Sequence, residues 1–106
     1  MAMNTYGDFN DFLGKRERKK LKGNTWVERN VDPESIGIRL HGTVVVEYFP
    51  DGKIKLDTGG WETNTTKKRI NEFSPFSVWH EKFVLFIDGP GLAKTKFSNK
   101  MIVEVP

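Results

Sequence analysis

Between Ile36 and Tyr48 apolar side chains fall mainly at even positions, and this alternation constrains the fold more than any other feature. Successive side chains of a β-strand point to opposite faces, so a period of two predicts strands with one buried face. Gly42 divides the stretch and predicts a bulge or bend. Pro50-Asp51-Gly52 then predicts a tight hairpin turn, because proline sets φ and glycine accepts a positive φ. The even apolar positions are Ile36, Ile38, Leu40, Val44, Val46 and Tyr48.

Further strand-like segments lie on both sides of this hairpin, and two other segments have helical spacing. In the N-terminal part, apolar residues recur at helical intervals and predict a short helix capped by Thr5. A second helix is predicted over Thr63–Phe73, with Thr63 or Thr65 as its cap and Ser74-Pro75 as its end. The remaining strand segments are 25–31, 53–57, 78–80, 83–88 and 101–105, with a polar loop before the last one.

Length and connectivity set the architecture. The chain has 106 residues, 37% of them hydrophobic, which suits one domain with a modest core and is too short for a two-domain enzyme. Consecutive strands joined by short turns predict an antiparallel sheet of about five to seven strands. With an N-terminal helix and one internal helix packed on that sheet, the predicted class is α+β. We expect one domain over 1–106, in which 1–23 form the N-terminal helix and a basic arm and 24–106 form the α+β body.

Several classes of site are excluded by what the sequence lacks. The absence of cysteine removes a disulfide framework, a zinc ribbon and a thiol nucleophile. No HxxxH or HExxH pattern occurs, so we predict neither a metal nor a cofactor. No apolar run approaches the roughly 20 residues of a membrane span, and the first residues lack the features of a secretory signal. We expect no membrane partner and an intracellular location.

Positive charge is concentrated in the basic segment, Lys15–Lys22, which reads KRERKKLK. This segment has a local net charge of +5, whereas the rest of the chain sums to −2 and the whole to +3. The alternatives for it are a phosphate-binding arm and a solvated arm or helix face, in either a helical or an extended conformation. About five or six phosphate contacts would weaken binding on the order of a thousandfold between 50 and 200 mM salt.

A set of short motifs is shared with a known group of proteins. They are Leu13-Gly14-Lys15-Arg16, Arg39-Leu40-His41-Gly42-Thr43, Pro50-Asp51-Gly52, Gly59-Gly60-Trp61, and Thr65-Thr66-Lys67 with Arg69-Ile70-Asn71. In these motifs the chain resembles a family of small tailed-bacteriophage proteins, over about residues 12–71. The resemblance implies a small phage protein in the host cytoplasm, and it brings no activity, ligand or catalytic residue with it.

The stretch Thr58–Asn71, TGGWETNTTKKRIN, combines glycines, threonine hydroxyls and a second group of cations. Its spacing does not match the phosphate-cradling loop GxxxxGK[ST], which argues against a nucleotide P-loop. One reading is an anion site at the start of the helix. The alternative is structural: the glycines make a turn, Trp61 packs on the core and the threonines cap the helix.

Two histidines and the aromatic residues are the other candidates. His41 and His80 both fall on strand-like segments, and His41 would need Glu47 or Asp57 across the sheet to form an acid–base pair. Aromatic residues make up 12% of the chain, and most of them must fill the core. Phe83, Trp79 or Phe49 could stack on unpaired bases, and we expect Phe49 and Trp79 to be the most exposed.

These observations favour a small, non-enzymatic phage protein that binds nucleic acid. The predicted nucleic-acid-binding residues are Lys15, Arg16, Arg18, Lys19, Lys20, Lys22, Lys67, Lys68 and Arg69. The main alternative is an accessory protein that binds a host or phage protein through an exposed sheet edge or aromatic patch. A virion protein and a small enzyme based on His41 are further alternatives.

Overall fold

The computed structural model describes residues 3–105, which form two helices and nine strands. In chain order the elements are α1 (Tyr6–Leu13), β1 (Arg18–Lys22), β2 (Thr25–Val31), β3 (Glu34–Leu40), β4 (Thr43–Tyr48), β5 (Lys53–Leu56), α2 (Asn64–Phe73), β6 (Ser77–Glu81), β7 (Val84–Gly89), β8 (Leu92–Lys96) and β9 (Met101–Glu104). The α+β class is therefore confirmed.

The strands form two antiparallel sheets. The larger sheet has six strands in the order β1-β2-β3-β4-β5-β9, and the smaller has three in the order β6-β7-β8. The sequence predicts one sheet of about five to seven strands. The difference arises because α2 and the strands β6, β7 and β8 are inserted between β5 and β9, and those three strands pair with each other.

Three local predictions differ from the structure. His41-Gly42 is a two-residue hairpin turn between β3 and β4 and not a bend within a continuous strand. The bulge lies instead on β4. Ile38 and Arg39 of β3 pair with Val46 and Val44, so Val45 is the extra residue. The segment expected to be a polar loop before β9 contains β8, whose side chains are mostly exposed and so lack the alternation that would reveal a strand.

Both helices begin at the predicted threonine caps. The Thr5 side-chain oxygen accepts a hydrogen bond from the Asp8 backbone N–H at 3.1 Å, and the Thr63 oxygen accepts one from Thr66 at 3.2 Å. A cap of this kind satisfies an N–H group that has no partner within the helix. α2 ends at Ser74, as the following proline predicts.

The core lies between the larger sheet and the helices. Phe9 and Leu13 of α1 and Ile70 of α2 are buried in one cluster with the apolar faces of both sheets. Buried polar contacts fix α2 against its neighbours. The Tyr48 hydroxyl donates to the carbonyl oxygen of Phe73 at 2.5 Å, and burial raises the pKa of this phenol, with a smaller contribution from the Asp8 carboxylate.

Asn71 joins α2 to the smaller sheet. Its side-chain amide donates to the Val78 carbonyl oxygen at 3.1 Å, and its side-chain oxygen accepts from the Val78 N–H at 2.6 Å. One asparagine thus pairs with both backbone groups of a β6 residue, as a neighbouring strand would. This contact fixes the position of α2, which carries the second group of cations.

Candidate functional site

The basic segment is not a free arm, because its second half is the edge strand β1. The exposure pattern of β1 alternates, so Arg18 and Lys20 lie on the solvent side of the sheet and Lys19 on the helix side. Lys15 and Arg16 lie in the turn between α1 and β1. The segment is therefore extended, which was one of the two conformations left open by the sequence.

Two cations of β1 are held by contacts within the protein. The Arg18 guanidinium lies 4.1 Å from the centre of the Trp26 ring and 3.3 Å from the Glu28 carboxylate. The Lys19 ammonium donates to the Phe12 carbonyl oxygen at 3.3 Å and lies 4.2 Å from the centre of the Phe12 ring. Lys19 thus attaches β1 to α1, which is a structural role.

The two groups of cations meet at Glu72. A register shift in β1 after Lys20 pairs Lys22 with Thr25. The Lys22 ammonium lies 2.8 Å from Glu72 Oε2, and Arg69 Nη1 lies 3.4 Å from Glu72 Oε1. Arg69 also donates through Nε to the buried Thr25 hydroxyl at 2.9 Å. The hydrogen bond from Lys22 is the largest cause of a lowered pKa at Glu72, and nearby positive charges add to it.

Four of the nine predicted cations have no side-chain hydrogen bond or ion pair within residues 3–105. Lys15, Arg16, Lys20 and Lys68 are exposed, and their side chains make no hydrogen bond or ion pair with any residue between 3 and 105. We call the nine predicted cations together the basic surface. These four are the members whose side chains make no hydrogen bond or ion pair within residues 3–105.

Lys67 belongs to a separate chain of contacts that the sequence did not reveal. Its ammonium lies 2.9 Å from His80 Nδ1, and His80 Nε2 lies 3.0 Å from Glu62 Oε1. Because a protonated lysine can only donate, Nδ1 accepts from Lys67, and the Nε2–H group donates a hydrogen bond to Glu62 Oε1. His80 is 13 residues from Lys67 and 18 from Glu62 and meets them through the packing of β6 on α2, so no local pattern could have predicted this contact.

His41 has a different environment from the one predicted. It lies in the β3–β4 turn with φ +55°, a value that non-glycine residues seldom adopt. The acid–base pair that a facing carboxylate would allow is not formed: Glu47 accepts a hydrogen bond from Ser35, and Asp57 accepts one from the Gly59 N–H. The His41 side chain is exposed and makes no hydrogen bond within residues 3–105.

The exposure of the aromatic residues also differs from expectation. Phe49 and Trp79 are both partly buried, and Trp79 is held by the Glu81 carboxylate at 2.7 Å. Trp61, which the structural reading of its segment placed on the core, is 68% exposed, and Phe83 is 100% exposed. The adjacent Gly59-Gly60 forms a turn, as the same reading predicted.

Trp61 lines one side of a groove of about 660 Å³ at the end of the larger sheet. The other walls are the β3–β4 turn and the first turn of α2. Apolar side chains and threonine hydroxyls alternate around it, including those of Leu40, Thr43, Val45, Thr58 and Thr66. The groove therefore offers an apolar floor, hydrogen-bonding groups and one exposed aromatic ring.

Neither helix among residues 3–105 has the length and apolar content that a membrane span requires. Within the same range, no three or more histidine, cysteine or acidic side chains are grouped so as to hold a metal ion.

Comparison with known proteins identifies one relationship. A family model described as Kyanoviridae Gp96 protein matches residues 7–104, which is nearly the whole chain. No curated protein and no solved structure matches the chain.

Proposed function

The chain belongs to the Kyanoviridae Gp96 protein family, a family of phage proteins, and from that premise we propose that it binds nucleic acid through its basic surface. The observation that carries the proposal is the meeting of two groups of cations that are far apart in sequence. Lys22 and Arg69 bind the same Glu72 carboxylate, so phosphates could contact β1 and α2 together. We place this activity in the host cytoplasm.

Phosphate contacts supply affinity without reading sequence, which fits this surface. The lysines and arginines here project from an edge strand, the turn before it and a short helix. Both helices within residues 3–105 are packed in the core cluster, so neither is free to enter a major groove. We therefore expect weak sequence preference. Neutralising one phosphate increases the affinity roughly tenfold at 50 mM salt and roughly fourfold at 200 mM salt.

The test replaces two unpaired cations, one from each group. Lys20→Gln with Lys68→Gln removes two charges without breaking a side-chain hydrogen bond or ion pair within residues 3–105. In fluorescence anisotropy with labelled DNA and RNA, we expect this variant to bind about a hundredfold more weakly at 50 mM salt. Lys19 is left unchanged because it attaches β1 to α1.

The matched control removes the same charge elsewhere on the sheet. Lys53 and Lys55 lie on β5, four strands from β1 and hence about 19 Å away. Lys53→Gln with Lys55→Gln should leave binding within about threefold of the wild type. Equal losses in the two double variants would mean that net charge, and not the basic surface, governs binding.

One observation favours a second candidate function, binding to another protein. Lys82 and Phe83 form the two-residue turn between β6 and β7, with φ values of +50° and +70°. Such turns favour Asn-Gly, so a fully exposed phenylalanine there is both strained and solvated. If this ring is a docking group, a partner captured from nuclease-treated host lysate should be lost with Phe83→Ala.

A further inference from the structure

Trp61 is held in solvent by an ordered turn. Its backbone N–H donates to the Thr58 carbonyl oxygen at 2.9 Å, and the Gly60 N–H donates to the Thr58 hydroxyl at 3.3 Å. Thr58 is itself fixed, because its N–H and hydroxyl both donate to Asn99 Oδ1, at 3.0 and 2.7 Å. A large ring that is 68% exposed on such a turn is presented before any ligand arrives.

Gly59 fixes where this turn lies. It has φ +63°, and a Cβ atom there would come within 2.5 Å of the Thr43 hydroxyl oxygen. The turn therefore packs directly against the start of β4, and only glycine permits that approach. The distance between Trp61 and the opposite wall of the groove is set by backbone packing.

The opposite wall contains a second uncommon feature. His41 occupies a positive-φ position in the β3–β4 turn, although the neighbouring Gly42 does not have a positive φ. Strained backbone conformations of this kind cluster at functional sites, where the strained residue contributes to binding or catalysis. The imidazole and the indole thus line the same groove, and both are exposed.

Two contacts connect the groove to elements that carry the basic surface. The His41 N–H donates to the Asn24 carbonyl oxygen at 3.2 Å, which joins the β3–β4 turn to the turn that follows β1. On α2, Thr66 lines the groove, and Arg69 lies one turn further along and contacts Thr25. A nucleic-acid chain whose phosphates contact the basic surface would therefore run past the opening of the groove.

We propose that the Trp61 groove receives an unpaired nucleobase of a single-stranded nucleic acid whose phosphates contact the basic surface. This inference rests on the proposed function and specifies its substrate class. Paired bases are not available for stacking on Trp61, whereas every unpaired base has a π-face that fits an aromatic platform. The volume of about 660 Å³ lies within the range of small-ligand sites.

The test compares Trp61→Ala with a matched loss of another exposed ring, Phe83→Ala. Stacking of one base on an aromatic side chain is worth about a five- to 150-fold change in affinity. We expect Trp61→Ala to weaken binding of a labelled 12-nucleotide single strand by that factor, with an unchanged salt slope because no charge is removed. Binding to a matched duplex, and all binding by Phe83→Ala, should be unaffected.

Two further probes separate a stacking role from a structural one. A single strand with abasic sites keeps its phosphates, so wild-type protein should bind it about as weakly as Trp61→Ala binds the intact strand. Intact strand should quench wild-type tryptophan fluorescence, and Trp61→Phe should lose that quenching while Trp26→Phe keeps it. DNA and RNA versions of the strand show which sugar is preferred.

Failure of the inference and failure of the proposed function give different results. If wild-type protein binds strongly and salt-dependently but Trp61→Ala binds equally well, the base site is wrong and phosphate binding stands. If wild-type protein binds neither strand type at 50 mM salt, both proposals are wrong.

Discussion

Replacing Glu72 with glutamine should strengthen nucleic-acid binding while weakening the fold. Glu72 holds the Lys22 ammonium at 2.8 Å and also binds Arg69, so it lies where the two groups of cations meet. Glu72→Gln removes the charge that opposes Lys22 and frees this ammonium for a phosphate. Arg69 keeps its other contact, because its Nε donates a hydrogen bond to the Thr25 hydroxyl.

One additional phosphate contact has a calculable effect. Counterion release makes the variant about tenfold tighter at 50 mM salt and about fourfold tighter at 200 mM salt. The loss of affinity between these two salt concentrations should therefore be about threefold greater than in the wild type. Anisotropy titrations at both concentrations measure this directly.

The same substitution should cost stability in a pH-dependent way. Lys22 and Glu72 side chains are 43% and 36% exposed, so solvent screens the pair and its contribution is about 0.5 kcal/mol. The pKa of Glu72 is lowered on folding, so the contribution is present above the unfolded pKa and is lost as pH falls through the folded value. Urea unfolding of wild type and variant should differ at pH 7 and converge in acid.

Glu81→Gln is the matched control. Glu81 also holds a lysine, Lys94, at 2.9 Å, and it lies on the smaller sheet. This variant gains the same net charge but should not steepen the salt dependence. Weaker or unchanged binding by Glu72→Gln would refute the reasoning that places phosphates beside Lys22.

Three other variants test the fold by urea denaturation. Tyr48→Phe leaves the buried Phe73 carbonyl without its donor and should lower the free energy of unfolding by about 1–2 kcal/mol. A change below about 0.5 kcal/mol would contradict a stabilising role for this hydrogen bond. Lys82→Asn with Phe83→Gly should raise it by about 1–2 kcal/mol, since both φ values are positive and the ring is fully exposed; destabilisation would show that the ring has a packing role. His41→Gly should raise it by up to about 1 kcal/mol, and a fall of more than that would contradict the strain argued at φ +55°.

Local rules predicted the elements whose signals lie within a few residues. Thr5 and Thr63 cap their helices as expected, and the chain turns at Pro50-Asp51-Gly52 with Gly52 at φ +95°. In these cases a short-range hydrogen bond or a backbone preference decides the outcome. The turn at His41-Gly42 was missed because the even-position alternation continues across it, with Val44 following Leu40 in phase.

The composition of the candidate site depends on long-range packing and could not be read from the sequence. Lys22 and Glu72 are fifty residues apart and meet because α2 crosses the helix side of the larger sheet. The contacts among Lys67, His80 and Glu62 have the same origin. The sequence located the cations, and the topology determined which of them are paired.

The β1 lysines also have a structural explanation. Exposed cations on an edge strand prevent that edge from pairing with another chain. Under this explanation alone, Lys20→Gln would promote self-association and leave nucleic-acid binding unchanged. The proposed function instead predicts a loss of affinity in a variant whose self-association is unchanged from that of the wild type.

The most direct measurement is the anisotropy of labelled single- and double-stranded DNA and RNA with wild-type protein at 50 and 200 mM salt. Contacts by the four unpaired cations Lys15, Arg16, Lys20 and Lys68 predict that affinity falls about 50- to 150-fold between these concentrations. The absence of binding at 50 mM, or binding that is insensitive to salt, would contradict the assignment of the basic surface as a nucleic-acid site.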